Sequence, residues 1–528
     1  MHGRFGRSVS IILLSCALTT AAVGAPRPPA YSDPQATNFP GVITVDVDAR
    51  DVDRGIISFR QTIPVAKAGT LTLLYPEWLP GNHAPRGPID KLAGLIFTAN
   101  GAPLAWRRDP VNVYAFHVET PPGVASIEAR ADYLTPTASA QGRVVVTRAL
   151  ANLQWNAAVL YPAGFVARGI TIRPTLRLPA GWSFASALSP QTGVARNGAI
   201  AFAETDLDTF VDSPMFAGAN FKRFDLDPGG KIPVHLNVVA DAPQLIAPTE
   251  AQIAAFRGLV RQADLLFGAR HYDRYDFLLA LSEFMGPIGL EHHRSSENVV
   301  GQSFFLDPAT HVNNWDLLSH EYVHSWNGKF RRPKDLYTEN FDAPMGGSLL
   351  WLYEGQTSYW GEVLATRSGL WSKADAFESL ASQLATFDNR AGRSWRSVAD
   401  TTREPVISAR RPQPWRSWQR AEDYYYEGFT TWLDADTLIR EQTGGAKSLD
   451  DFAKAFFGVA PGRMEPLTYT FEDVVAALDA VAPFDWTTFL KSMIETPGRP
   501  SPLAGATRGG WRLVYNDTPN SFIAADEK

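Results

Sequence analysis

The hydrophobic pattern changes its period part-way along the chain, and this switch constrains the fold more than any other feature. From about residue 40 to 240, apolar residues alternate with polar ones, as at Ile43, Val45 and Val47. The same holds for Ile170, Ile172, Leu176 and Leu178 across Pro174. Pro80-Gly81, Pro121-Pro122-Gly123 and Pro179-Ala180-Gly181 punctuate the runs at turn-like spacing. Period two with frequent turns specifies short strands with one buried face, as in an all-β, sandwich-like domain.

The pattern shifts near Asp227-Pro228-Gly229-Gly230, and a last extended run, Val234 to Val239, leads into Pro243 and Pro248. Thr249 with Gln252 three residues later is a capping-box signal. Ile253, Phe256, Val260 and Phe267 follow at helical spacing, with Gly268 as a stop. Phe277 to Leu281 reads as a buried strand, and beyond about 313 the chain reads as mainly helical to about 497. The expected fold class is α+β, with a β-rich domain over 41–243 and a helix-rich domain over 244–500.

The start of the chain is different in kind. Arg4 and Arg7 precede a short apolar run from Val9, and small residues follow at Ala22, Gly24 and Ala25. A basic start, a short apolar core and a small-residue cleavage region specify a secretory signal peptide over 1–24, followed by a Pro-rich linker over 25–40. The run is too short for a membrane span. The expectation is an exported chain, periplasmic or secreted, with no stable membrane insertion after cleavage. Leu13-Leu14-Ser15-Cys16 loosely resembles a lipoprotein box, which would instead anchor the chain at Cys16, its only cysteine. The net charge of -6 provides no basic field for nucleic acid. It leaves the oligomeric state open.

The chemistry concentrates in His320-Glu321-Tyr322-Val323-His324. Residues four apart share a helix face, so His320 and His324 can direct their imidazoles at one metal ion. Glu321 sits where a carboxylate reaches a metal-activated water without binding the metal, the HExxH arrangement of a zinc hydrolase. Catalytic zinc usually has three protein ligands and an open position. Glu354, alone in the apolar stretch Ser348 to Gly355, is the candidate third ligand. A buried unpaired carboxylate is costly, and a cation relieves that cost.

Two longer segments carry a family resemblance. The run from His320 through Trp326, Asn327, Lys329, Arg332 and Pro333, with Trp351-Leu352-Tyr353-Glu354-Gly355, resembles the glycyl aminopeptidase family of gluzincin, thermolysin-like metallopeptidases. Tyr75-Pro76-Glu77-Trp78-Leu79-Pro80-Gly81 and the segment Gly509 to Pro519 extend the likeness over most of the chain. It implies one zinc per chain, held by His320, His324 and Glu354, with Glu321 as general base. Gly289-Leu290-Glu291-His292 resembles the family's Gly-Leu-Glu-His segment, which implies that Gly289 and Glu291 bind substrate, Glu291 through its free amine. Tyr424-Tyr425-Tyr426-Glu427-Gly428 is similar to the family's Tyr-Tyr-x-Lys-Gly, which implies Tyr425 as the phenol facing the zinc. Glu427 departs from that pattern, and three successive tyrosines leave the register open by one.

The implied activity is an aminopeptidase that releases small residues such as Gly or Ala from peptides with a free N-terminus. An endopeptidase, with Glu291 purely structural, is the alternative, and a binding protein with a relict metal site is a further one. Trp326, Tyr353 and Tyr359 are expected in the core, and Lys329, Arg331 and Arg332 on a solvated turn. Family members commonly carry a PDZ domain after the helices. Residues 501–528 are too few for one and are read as an extension in which Trp511 to Tyr515 forms a strand.

Overall fold

The computed structural model describes residues 31–191 and 198–526, so the expected signal peptide and Cys16 lie outside the described residues. The alternating segments form the β-rich unit. Its largest sheet runs, in spatial order, through Ile200–Ala201, Thr171–Arg177, Val42–Asp51, Ile56–Pro64, Ser126–Leu134, Leu92–Ala99 and Ala102–Pro103. Ile43, Val45 and Val47 are fully buried, as their alternation requires. Pro174 lies within Thr171–Arg177 and has no N–H to give to a ladder. The outer neighbour is accordingly split into Thr205–Asp206, which pairs with Thr171 and Ile172, and Ile200–Ala201, which pairs with Thr175 and Leu176. A second sheet, Tyr161–Pro162, Gly69–Leu74, Ala115–Thr120 and Trp106–Arg108, contributes Leu73, Leu74, Phe116 and Val118 to the same core.

The second unit begins earlier than its helices. A five-stranded sheet has the order Phe221–Asp225, Val234–Ala240, Tyr275–Leu281, Ser295–Val300, Ile288–Glu291. The pairs on either side of Tyr275–Leu281 are parallel, and the crossover helix Glu250–Phe267 joins the first of them. That helix starts with the expected Thr249–Gln252 capping box and stops at left-handed Gly268. The sequence reading divides the chain at 243/244, which would cut this sheet. Val234, Leu236, Val238 and Ala240 pack into the same core as Phe277 and Leu279, so both early strands lie on the helix-rich side. Alternation alone does not reveal which sheet a strand joins.

Helix Leu317–Val323 crosses the inner face of this sheet. Its residues Leu318 and Tyr322, continued by Trp326, are four apart and fully buried. Tyr322 packs edge-on to Tyr275, and Trp326 stacks on Phe267 at 4.5 Å. The helices Gly355–Ser368 and Tyr426–Gln442 pack behind it. The last described segment corrects one expectation: Trp511 to Tyr515 forms no strand. Trp511 and Tyr515 lie against the helix Lys373–Asp388, through Phe377 and Asp388 respectively. No helix among the described residues is long and apolar enough to cross a membrane.

Phe341 is one of the residues that tie the two units together. Phe341, from the segment between the two candidate ligand helices, is buried in the β-rich core with its ring edge-on to Tyr161 at 6.0 Å. Its carbonyl accepts hydrogen bonds from the backbone N–H groups of Glu77 and Trp78 at 3.0 and 2.9 Å. Removing a buried phenyl group typically costs about 3–5 kcal/mol. Phe341→Ala is therefore expected to lower the unfolding free energy by that amount, read from denaturant unfolding followed by tryptophan fluorescence. A loss below about 1 kcal/mol would show that this ring does not close the core.

Candidate metal centre and active site

The helix Leu317–Val323 buries Leu318 and Tyr322 on one side and so turns His320, Glu321 and His324 towards the other. Glu354 lies at the junction of Leu350–Tyr353 and Gly355–Ser368, where it caps both helices. Its Oε2 is 3.3 Å from His320 Nε2 and 3.1 Å from His324 Nε2, and the two Nε2 atoms are 3.1 Å apart. Tetrahedral zinc with bonds of about 2.0–2.1 Å sets neighbouring ligand atoms about 3.3 Å apart, so this triangle fits the ion. His324 Nδ1 donates to the Asn327 carbonyl at 2.9 Å, which aims its Nε2 at the other two ligand atoms, where a metal ion would replace the Nε2 proton. The Asn327 side chain donates to the carbonyls of Leu352 and Tyr353, each at 3.2 Å, and so pins the Glu354 segment to the histidine helix.

Charge in this site is balanced by contact. Burial opposes ionisation of Glu354, but the facing His324, with hydrogen bonds from His320 and His83, holds its carboxyl well below the ordinary range. Burial also disfavours charge on His324, yet Glu354 and Glu291 hold its pKa up at about 9. Glu321 stands apart from this pairing. Burial, reinforced by Glu291 and Glu354, pushes its carboxyl well above the ordinary value, and its Oε2 is a buried oxygen with no protein partner.

Glu291 ends the edge strand Ile288–Glu291 and is 3% exposed. The Tyr353 phenol donates to its Oε1. Tyr353 is buried as expected, but the core reading of it was incomplete, because its hydroxyl serves this carboxylate. A carboxylate oxygen of Glu291 lies within 4.8 Å of ligand atoms of both Glu321 and His324. A Cβ on Gly289 would run into Glu321 Oε1, so glycine is needed there for the base to lie against the strand.

The three successive tyrosines differ in what each ring touches. Tyr424 is fully buried and donates to Glu422 at 3.2 Å. Tyr425 precedes the helix Tyr426–Gln442, faces His320 with ring centroids 6.1 Å apart, and accepts a hydrogen bond from Arg410 at 3.3 Å. With Tyr426, Gly289, Leu317, His320 and Glu321 it lines a cleft of about 250 Å³. Gly355 and Gly428 meet where the two helices cross: a Cβ on Gly355 would lie 2.6 Å from Gly428 Cα. That close approach sets the starts of the two helices, at Glu354 and Tyr425, side by side. Glu427 points away from it and is ion-paired with Arg393 at 2.9 Å and with Arg420. The departure from the family pattern is thus a structural ion cluster outside the cleft.

Other expectations are corrected. Lys329 is on no solvated turn; it is 1% exposed and donates to Asp212 at 2.8 Å. Arg331 is buried over the Phe456 ring at 4.0 Å, and Arg332 Nε donates to the Gly328 carbonyl. These cations fasten the chain after His324, where local sequence shows charge but not its partners. His292 is engaged by Asp212 and Glu297 at 3.1 and 3.0 Å. A residue that local pattern missed is His83, from the β-rich unit, whose Nε2 is 2.6 Å from Glu354 Oε1.

Comparison with known proteins bears on family and fold. Residues 44–219 match the N-terminal domain of M61 peptidases, and residues 313–444 match the M61 glycyl aminopeptidase domain. The chain belongs to the M61 glycyl aminopeptidase family. The fold of this M61 peptidase is similar to that of an aminopeptidase N family protein from Idiomarina loihiensis, with a TM-score of 0.72 and 18% identity over 88% of this chain and 78% of that one. It is also similar to an M1 zinc metallopeptidase from Deinococcus radiodurans, a mutant form bound to a Tyr-Ser-Ala substrate, with a TM-score of 0.52 and 14% identity over 89% and 96% of the two chains. At such identities the likeness is one of fold. No curated protein matches the sequence.

The packing of Gly289 on Glu321 supplies a direct check. Gly289→Ala should displace the Glu321 carboxylate while leaving the three candidate ligand atoms in place. The expected result is at least a tenfold fall in kcat/KM with metal content unchanged. Full activity in that variant would show that the Glu321 position is not critical.

Proposed function

We propose that this M61 peptidase is a zinc aminopeptidase, acting outside the cytoplasm, that removes small residues such as Gly or Ala from peptides with a free N-terminus. The observation that carries the reading is the placement of Glu291 beside the candidate ligand triangle. An α-amine and its own carbonyl carbon are two bonds apart, about 2.5 Å. An ammonium paired with Glu291, whose oxygen is within 4.8 Å of the Glu321 and His324 ligand atoms, therefore puts the first peptide bond over the metal centre. Internal peptide bonds have no such ammonium to anchor them.

His320, His324 and Glu354 would hold the ion, and a zinc ion bound there supplies Lewis acidity that lowers the pKa of water to about 7. The remaining steps belong to side chains. Glu321, with Oε2 free of protein partners, takes the proton of the attacking water and returns it to the leaving amine. The Tyr425 phenol, oriented by Arg410, donates to the carbonyl oxygen as it gains negative charge. Glu291 fixes the register of the substrate, held in place itself by Tyr353.

Two measurements test this reading. Glu321→Gln should keep zinc and lose hydrolysis by three orders of magnitude or more; substantial activity would remove Glu321 from the role of base. Glycyl and alanyl peptides should be cleaved and their N-acetylated forms refused, and Glu291→Ala should erase the difference together with most of the activity. Equal cleavage of free and acetylated peptides would overturn the amine anchor and favour an endopeptidase.

A further inference from the structure

The β-rich unit reaches into the metal centre through one short turn. Trp78 and Pro85 form an isolated bridge that closes a loop between them, and the N–H groups of Glu77 and Trp78 are fastened to Phe341 of the helix-rich unit. Within the loop, Gly81 and His83 both have left-handed backbone, with φ of +83° and 53°. Glycine accepts this conformation freely, whereas histidine adopts it at a cost and only where its surroundings hold it. A Cβ on Gly81 would lie 2.8 Å from Glu291 Oε2 and from Leu290 Cδ1, so the turn presses on the candidate amine anchor. The His83 side chain is 1% exposed, stands edge-on to the Tyr353 ring at 5.1 Å, and meets Glu354 Oε1 at 2.6 Å.

The two oxygens of Glu354 are thus divided. Oε2 faces His320 and His324, and Oε1 faces His83. A carboxylate oxygen only accepts, so His83 Nε2 carries the hydrogen of this bond. Holding Oε1 fixes the rotation of the carboxylate plane and so aims the lone pair of Oε2 at the ligand triangle. It also keeps the carboxylate from turning both oxygens to the ion. Partners of this type commonly change metal affinity by about 10- to 100-fold when removed.

We propose that His83 is a positioning residue for the metal centre: the β-rich domain sets the zinc affinity of the catalytic domain by clamping the Glu354 carboxylate. The inference rests on the reading of His320, His324 and Glu354 as zinc ligands. His83 touches no reacting atom in this scheme. Its effect passes through Glu354, so it should register in metal binding before it registers in turnover.

The test uses the full chain in three forms, native, His83→Phe and His83→Gln, with zinc affinity measured by competition against a chromogenic chelator and kcat/KM measured at saturating zinc. Phenylalanine keeps the ring volume and loses the donor; glutamine restores an N–H of comparable reach. His83→Phe should bind zinc about 10- to 100-fold more weakly than the native chain. His83→Gln should recover at least half of that loss on a logarithmic scale. Circular dichroism of the zinc-free forms confirms a common fold, and a His83→Phe chain that does not fold is replaced by His83→Leu in the same comparison. Zinc affinity within twofold of native in a folded donor-free variant would overturn the proposal, as would equal weakening by glutamine and phenylalanine. Failure of the native chain itself to bind zinc is a separate outcome; it overturns the ligand reading and His83 with it.

Discussion

A single buried carboxylate organises this molecule. Glu354 is 2% exposed in an otherwise apolar stretch, where an isolated negative charge would be untenable. Three imidazoles surround it, two from the neighbouring helix segment and one from the other unit. Every larger feature of the fold serves that meeting. The sheet strands Tyr275–Leu281 and Ser295–Val300 support the histidine helix, Asn327 bolts the two helices together, and Phe341 fixes the loop that brings His83. Without bound charge, His324 supplies the opposing positive charge, since Glu354 and Glu291 raise its pKa to about 9 despite burial; an ion would supply that compensation more fully.

Much of this was legible in the sequence because it is local. The spacing of His320 and His324, the capping box at Thr249, and the alternation of Ile43, Val45 and Val47 each depend on residues within one or two turns. Their outcomes follow from periodicity alone. Glu354 was legible for a different reason: a carboxylate in an apolar helix poses a problem that few partners solve. The family resemblance added Glu291 and Tyr425, whose roles no local pattern announces; the geometry sets Glu291 near Glu321 and His324, and Tyr425 in the cleft with His320 and Glu321.

What was not legible depends on contacts between distant residues. Lys329, Arg331 and Arg332 read as a solvated turn because three charges within four residues usually are one. Asp212 and Phe456, more than a hundred residues away, make Lys329 and Arg331 interior. The strands at Phe221–Asp225 and Val234–Ala240 look like the alternating strands before them, and only their pairing partners assign them to the second sheet. Glu427 reads as a lost lysine, whereas Arg393 and Arg420 had already supplied the positive charge nearby. His83 sits in a Pro-Gly turn where a histidine carries no signal, and its partner lies 271 positions further along the chain.

The placement of Phe341 also bears on the order in which the chain can fold. The β-rich core is closed by a ring that leaves the ribosome only after every strand of that unit, the five-stranded sheet of the second unit and the histidine helix. Until then its strands cover an incomplete interior, with the socket beside Tyr161 open. Vectorial folding from the N-terminus therefore cannot finish the first unit before the sheet and the histidine helix of the second are made, although domains more often complete themselves in order of synthesis. Maturation of the two units is coupled at this aromatic contact, as it is at Lys329 with Asp212 and at His83 with Glu354.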